Sequence, residues 1–95
     1  MRFEWDEVKR LSNIAKHGID FAAAERFDWA SAVVGEDRRQ SDGEPRWGAQ
    51  GLIDGVVHTL IFTMRGGNVR VISLRRSNSK ERTAYAEATA SGSDR

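Results

Sequence analysis

The spacing of apolar residues changes along the chain, and each change marks an element. Val8, Leu11, Ile14 and Ala15 recur at the three- and four-residue spacing of one helix face. Asp6 stands before them, where its carboxylate can accept from orphan backbone N–H groups, and Gly18 follows as a stop. The pattern therefore predicts a helix from Asp6 to about His17 with that apolar face turned to a core. Phe21, Ala24 and Phe27 predict a second short helix from Asp20 toward Asp28. Residues 31–35 read as a short strand, and 36–43 as a polar loop rich in Asp, Arg and Ser.

The next stretch reads as two hairpins. Asp54-Gly55 and Gly66-Gly67 are two-residue turn signals, because a type I′ turn needs positive φ at both central positions. They predict antiparallel strands over 44–53, 56–65 and 68–75, with Pro45 tolerated at a sheet edge or at the strand start. Asn78-Ser79-Lys80-Glu81 has the form of a capping box, in which Asn78 caps and Glu81 reaches back. A helix should run from it through Tyr85 to about Ala90, leaving 91–95 to fray. The expectation is one α+β domain over residues 1–90, with two N-terminal helices, an antiparallel sheet of three to four strands and a C-terminal helix.

Two-residue loops also fix which residues oppose each other across the sheet. Trp47, Phe62 and Val71 form one row, and Ala49, Leu60 and Ser73 the next row on the same, core-facing side. His58, opposite Gly51, falls on that side as a packed histidine. The other face carries Arg46, Thr63 and Arg70, then Glu44, Arg65 and Asn68, with Ile61, Ile72 and Leu74 farther along.

Composition narrows the function. The chain has 95 residues, 39% hydrophobic and 31% charged, the profile of a soluble single domain. No apolar run approaches the roughly 18 residues of a spanning helix. The N-terminus holds acids where a secretory signal needs an apolar core, so a cytoplasmic protein without a membrane partner is expected. Cysteine is absent, which removes disulfides, thiolate nucleophiles and thiolate metal sites. The two histidines have no acid cluster at ligand spacing, so neither a metal site nor a cofactor is expected. The net charge of +1 conceals a basic segment: from Arg65 to Arg82 six bases stand against one acid, Glu81. Such a segment suits an anionic polymer, although a solvated basic face is the plainer alternative.

Arginine forks bind phosphate bidentately, so Arg46, Arg65 and Arg70 are candidates for holding a phosphodiester and stabilising charge that develops on it. Glu44 is then the candidate general base, removing the proton from an RNA 2′-hydroxyl that attacks the adjacent phosphate. The alternative for Glu44 is a cross-strand surface pair with Arg65, which would contribute little. His17 is a candidate assistant, although a histidine beside Gly18 also fits a helix end. Thr63, Arg75, Arg76, Lys80, Arg82 and Tyr85 complete the candidate RNA-binding set. Trp5, Trp29 and Trp47 are more often core in a small domain than base-stacking platforms.

Several separated motifs carry a family resemblance: Phe3-Glu4-Trp5-Asp6, Asn13, Lys16-His17-Gly18-Ile19, Phe21, Gly43-Glu44-x-Arg46, Phe62-Thr63-x-Arg65, Arg70-Val71-Ile72-Ser73-x-Arg75 and Glu81-Arg82-x-x-Tyr85. In order and spacing the chain resembles the BrnT toxins of type II toxin-antitoxin systems across residues 3 to 85. It departs at Asp28-Trp29, where the family often has Asp-Pro, and at Leu74, where alanine is common. The resemblance implies a small RelE-like fold and ribonuclease activity that arrests translation. It also implies neutralisation by a BrnA antitoxin carrying a ribbon-helix-helix region, with operator DNA bound only through that complex. Family residues at Arg46, Thr63, Arg65 and Arg70 coincide with the basic face. The rival readings are a nucleic-acid-binding module without catalysis and a module that only titrates an antitoxin.

Overall fold

The computed structural model describes residues 1–39 and 43–93. In chain order it has β1 (Phe3–Trp5), α1 (Glu7–His17), 3₁₀ helices at Phe21–Arg26 and Trp29–Ser31, β2 (Val33–Asp37), β3 (Arg46–Ile53), β4 (Val56–Arg65), β5 (Asn68–Arg76) and α2 (Ser79–Ser93). The strands form one sheet in the order β1-β5-β4-β3-β2, in which β1 runs parallel to β5 and the other pairs are antiparallel. The α+β class holds, but the described sheet has five strands instead of three or four, and the second helix is 3₁₀. Residues 40–42 of the expected loop and 94–95 of the expected tail lie outside the described residues. Among the described residues no helix is long and apolar enough to cross a membrane.

Both hairpin turns form as their residues dictate, with positive φ at Asp54 and Gly55 and at Gly66 and Gly67. Trp47 opposes Phe62, and Phe62 opposes Val71, as the two-residue loops require. Pro45 precedes β3, so it removes no ladder donor although β3 is an interior strand. The register then shifts at a bulge: Phe62 pairs with Val71, but Ile61 pairs with Ser73 and Leu60 with Leu74. One extra residue in β5, Ile72, turns over everything beyond it. This corrects two expectations. Ser73 leaves the core row, and Leu74 joins it, fully buried. The same shift sets Arg75 opposite Thr59, on the face of Thr63 and Arg70.

The core lies on one side of the sheet. Phe21 and Ala24 of the first 3₁₀ helix and Phe27, which caps it, pack on Ala49, Leu60, Phe62, Val69, Val71 and Leu74. Gly51 is required there, since a Cβ at that position would lie 2.5 Å from Phe27 Cζ. Trp5 meets Phe21 and Trp29 meets Phe62 edge to face, so both indoles serve the core.

The caps of α1 form as expected: Asp6 Oδ2 accepts from Lys9 N at 3.0 Å, and Gly18 N donates to Ile14 O at 2.8 Å. Its apolar face does not turn inward, however. Val8 is 74% and Leu11 54% exposed, and Ala15 is exposed, while Asn13 is the buried residue. The reason is β1, which pairs with β5 only at Val69–Val71, so that α1 continues along the β5 edge instead of lying across the sheet. The capping box of α2 is reciprocal, with Glu81 N donating to Asn78 Oδ1 and Asn78 N to Glu81 Oε1, both at 2.8 Å.

Candidate functional site

The sheet face opposite the core carries the polar side chains. Near the second hairpin it opens into a cleft of about 290 Å³ lined by Lys9, Glu44, Arg46, Thr63, Arg65 and Arg70. Strand alternation places Thr63, Arg65 and Arg70 there, and Lys9 enters from α1. Thr63 is buried and donates from Oγ1 to Pro45 O at 2.7 Å, tying down the segment that carries Glu44.

Two carboxylates hold two of the guanidiniums. Glu44 Oε1 accepts from Arg65 Nη2 at 2.5 Å, and this bond keeps the Glu44 carboxyl below its ordinary range. Glu4 accepts from Asn68 Nδ2 at 3.0 Å and from Arg70 Nη1 at 2.8 Å, and these two partners, Asn68 foremost, lower its carboxyl in the same way. The Arg46 guanidinium makes no hydrogen bond or ion pair among the described residues, although its charge helps lower the Asp37 carboxyl, which Arg39 holds foremost. The cleft thus offers one unengaged guanidinium and two that an incoming anion would take from carboxylates.

The remaining candidates disperse. Arg75 donates to both oxygens of Glu81 at 2.8 Å. That pairing, opposed by partial burial and aided by the Asn78 backbone, lowers the Glu81 carboxyl to about 2. His17 lines an adjoining cleft of about 250 Å³ that shares Lys9 and Ile72 with the first. Arg76 borders a different cleft, beside His58 and Asp54. Arg82 Nη1 donates to Ser77 O at 2.7 Å, Lys80 is exposed, and Tyr85 is buried with its hydroxyl 3.3 Å from Ser31 Oγ. His58 is buried on the core side, its Nδ1 2.7 Å from Val56 O.

Sequence reasoning missed Glu4 and Lys9. The alternation in Phe3-Glu4-Trp5 is a strand signal, but its partner lies more than sixty residues away, at Val69 to Val71. Lys9 belongs to a helix whose orientation depends on that same pairing.

A family model described as the ribonuclease toxin, BrnT, of type II toxin-antitoxin systems matches residues 5–81. No curated protein matches the chain.

Proposed function

The chain belongs to the BrnT family of type II toxin-antitoxin ribonuclease toxins, and on that premise we propose that it cleaves single-stranded RNA without a metal ion and thereby arrests translation. Membership implies an RNA substrate and an antitoxin partner. The finer reading makes that partner a BrnA-like ribbon-helix-helix protein that covers the basic face with an acidic or amphipathic segment. Operator DNA is then contacted only through the complex.

One observation carries the reading: Arg46, Arg65 and Arg70 converge on a single cleft of the open sheet face. Guanidiniums fixed in place can stabilise the extra negative charge of a pentacoordinate phosphorane, the task a metal would otherwise perform. Glu44 is the proposed base. In the free protein Arg65 holds it as a poor proton acceptor; a phosphate that takes Arg65 releases the carboxylate beside the reacting group, where its basicity recovers. Glu44 then accepts the 2′-hydroxyl proton, the 2′-oxygen bonds to phosphorus, and the bond from phosphorus to the 5′-oxygen breaks. The products are a 2′,3′-cyclic phosphate and a 5′-hydroxyl, the latter protonated by a donor bordering the cleft, with His17 and Lys9 the nearest by lining.

The test is incubation of antitoxin-free protein with RNA in EDTA, followed by analysis of the product ends. Cyclic phosphate ends are expected, and the DNA analogue should survive. Activity abolished by EDTA and restored by magnesium would point to metal-assisted hydrolysis instead. The Glu44–Arg65 pair also favours a second reading, a surface that binds RNA or antitoxin without cleaving. Intact RNA in both conditions would select it.

A further inference from the structure

The open face carries its cations unevenly. Four successive outward residues of β4 are Arg65, Thr63, Ile61 and Thr59, spaced about 6.7 Å apart at two residues per step, with Val57 beyond them. Arg65 stands in the first row, Arg70 opposes Thr63 in the second, and Arg75 opposes Thr59 in the fourth. The third row has no charge: Ile61 lies between Gly48 on β3 and Ser73 on β5. The bulge adds Ile72 at the same level. A cleft of about 360 Å³ opens here, floored by Ile61, Ile72 and Ser73 and rimmed by Arg46, Arg75 and the Asp37–Arg39 ion pair, and among the described residues none of α2 borders it. Ile61 and Ile72 remain half-buried between the polar rows of Thr63 with Arg70 and Thr59 with Arg75.

We infer that this third row is a nucleobase shelf, which receives one unstacked base of the RNA strand while the arginines on either side hold the flanking phosphates. The inference rests on the RNA-cleaving reading above and names a specificity subsite within it. A phosphate gains nothing from an uncharged aliphatic floor, whereas a base has an apolar face to lay on Ile61 and Ile72 and polar edges for Ser73. The row spacing favours the same assignment, because successive phosphates of an extended strand would otherwise meet a cation at every step. Gly48 keeps the shelf open. A Cβ at position 48 would rest 3.5 Å from Ile61 Cδ1, an ordinary contact, so a larger side chain fits the fold but covers Ile61.

The experiment uses a short single-stranded 2′-O-methyl oligonucleotide, which cannot be cleaved, with one abasic position moved along it. Wild-type protein should show one position where loss of the base weakens binding about tenfold, the low end of what stacking a base is worth. Ile72→Ala and Gly48→Val should each abolish that sensitivity while the salt dependence of binding, which reports phosphate contacts, stays the same. Thermal unfolding of both variants establishes that they remain folded. No sensitive position in the wild type, or a sensitivity that survives both variants, overturns the shelf while leaving the RNA reading intact. Variants that keep the sensitivity but lose antitoxin binding would reassign the isoleucines to the antitoxin contact. Failure to bind any oligonucleotide at low salt would remove the RNA reading itself.

Discussion

Asn13 and Leu74 exchange the two hydrogen bonds that a neighbouring strand would have supplied. Asn13 Nδ2 donates to Leu74 O at 2.7 Å, and Leu74 N donates to Asn13 Oδ1 at 3.2 Å. β1 covers the β5 edge only as far as Val71, so without this carboxamide the backbone of Leu74 would be buried with its polar groups unmet. Ile72 and Ser73 lie between the two supports. The bulge that turns Arg75 toward the open face is thus held at one side by β1 and at the other by Asn13.

Asn13→Ala should therefore cost about 2 to 4 kcal/mol, the penalty for orphaning a buried donor and a buried acceptor. Asn13→Asp should be little better, because a carboxylate can accept from Leu74 N but repels Leu74 O. Equilibrium urea unfolding measures both. An unchanged midpoint for Asn13→Ala would mean that water replaces the amide without loss.

Val71 and the cleft arginines should separate stability from activity. Val71 is 1% exposed beside its cross-strand neighbour Phe62, so Val71→Ala should destabilise by about 2 kcal/mol through lost burial and a residual cavity. Molecules that remain folded should cleave normally. Arg65→Ala and Arg70→Ala should keep the thermal midpoint but lose cleavage by about 10²- to 10³-fold, the usual effect of removing one preorganised charge from a transition state. Normal cleavage by both arginine variants would place the active face elsewhere.

What the sequence made legible was local. Both hairpin turns, the pairing of Trp47 with Phe62, the caps of α1 and the reciprocal box at Asn78 and Glu81 all depend on residues within a few positions of a turn or helix start. From these alone Thr63, Arg65 and Arg70 fall on one face. Two things were not legible. The bulge at Ile72 leaves no local mark, since no glycine or proline accompanies it, and a uniform register sends Ser73 and Leu74 to the wrong faces. The parallel pairing of β1 with β5 joins the chain's beginning to its later half, and from it follow the edge position of α1, the exposure of Val8 and Leu11, and the approach of Glu4 to Arg70.

Glu81 should confer a pH-dependent stability. Its carboxyl sits near 2 in the folded protein against an ordinary 4.5. A lowered folded value means that the stabilisation is complete above about 4.5 and is lost as pH falls toward 2. Thermal unfolding of wild type and Glu81→Gln should therefore differ by a constant amount above pH 4.5 and converge below it. A difference that persists undiminished at pH 2 would assign the effect to the neutral hydrogen bonds with Asn78 and Thr59 instead of to the charge on Arg75.

Glu44 and Glu4 are both ion-paired carboxylates near the same arginines, yet they should respond differently to the same substitution. Glu4 is anchored at Asn68 as well as Arg70, so a phosphate that takes Arg70 still leaves it held. Among the described residues the Glu44 carboxylate is hydrogen-bonded to Arg65 alone, and it sits just before β3, so the same exchange at Arg65 frees it. Only the freed carboxylate can act as a base. Glu44→Gln should lower single-turnover cleavage by about 10²-fold or more, the contribution of a positioned general base, while affinity for an uncleavable analogue holds or improves as a competing negative charge disappears. Glu4→Gln should change cleavage by less than about tenfold, because its loss disturbs the aim of Arg70 without removing a proton acceptor. Equal losses in the two variants would mean that both carboxylates only orient guanidiniums. Full cleavage by Glu44→Gln would leave Glu44 a surface ion pair and send the search for the base to Glu4 and His17.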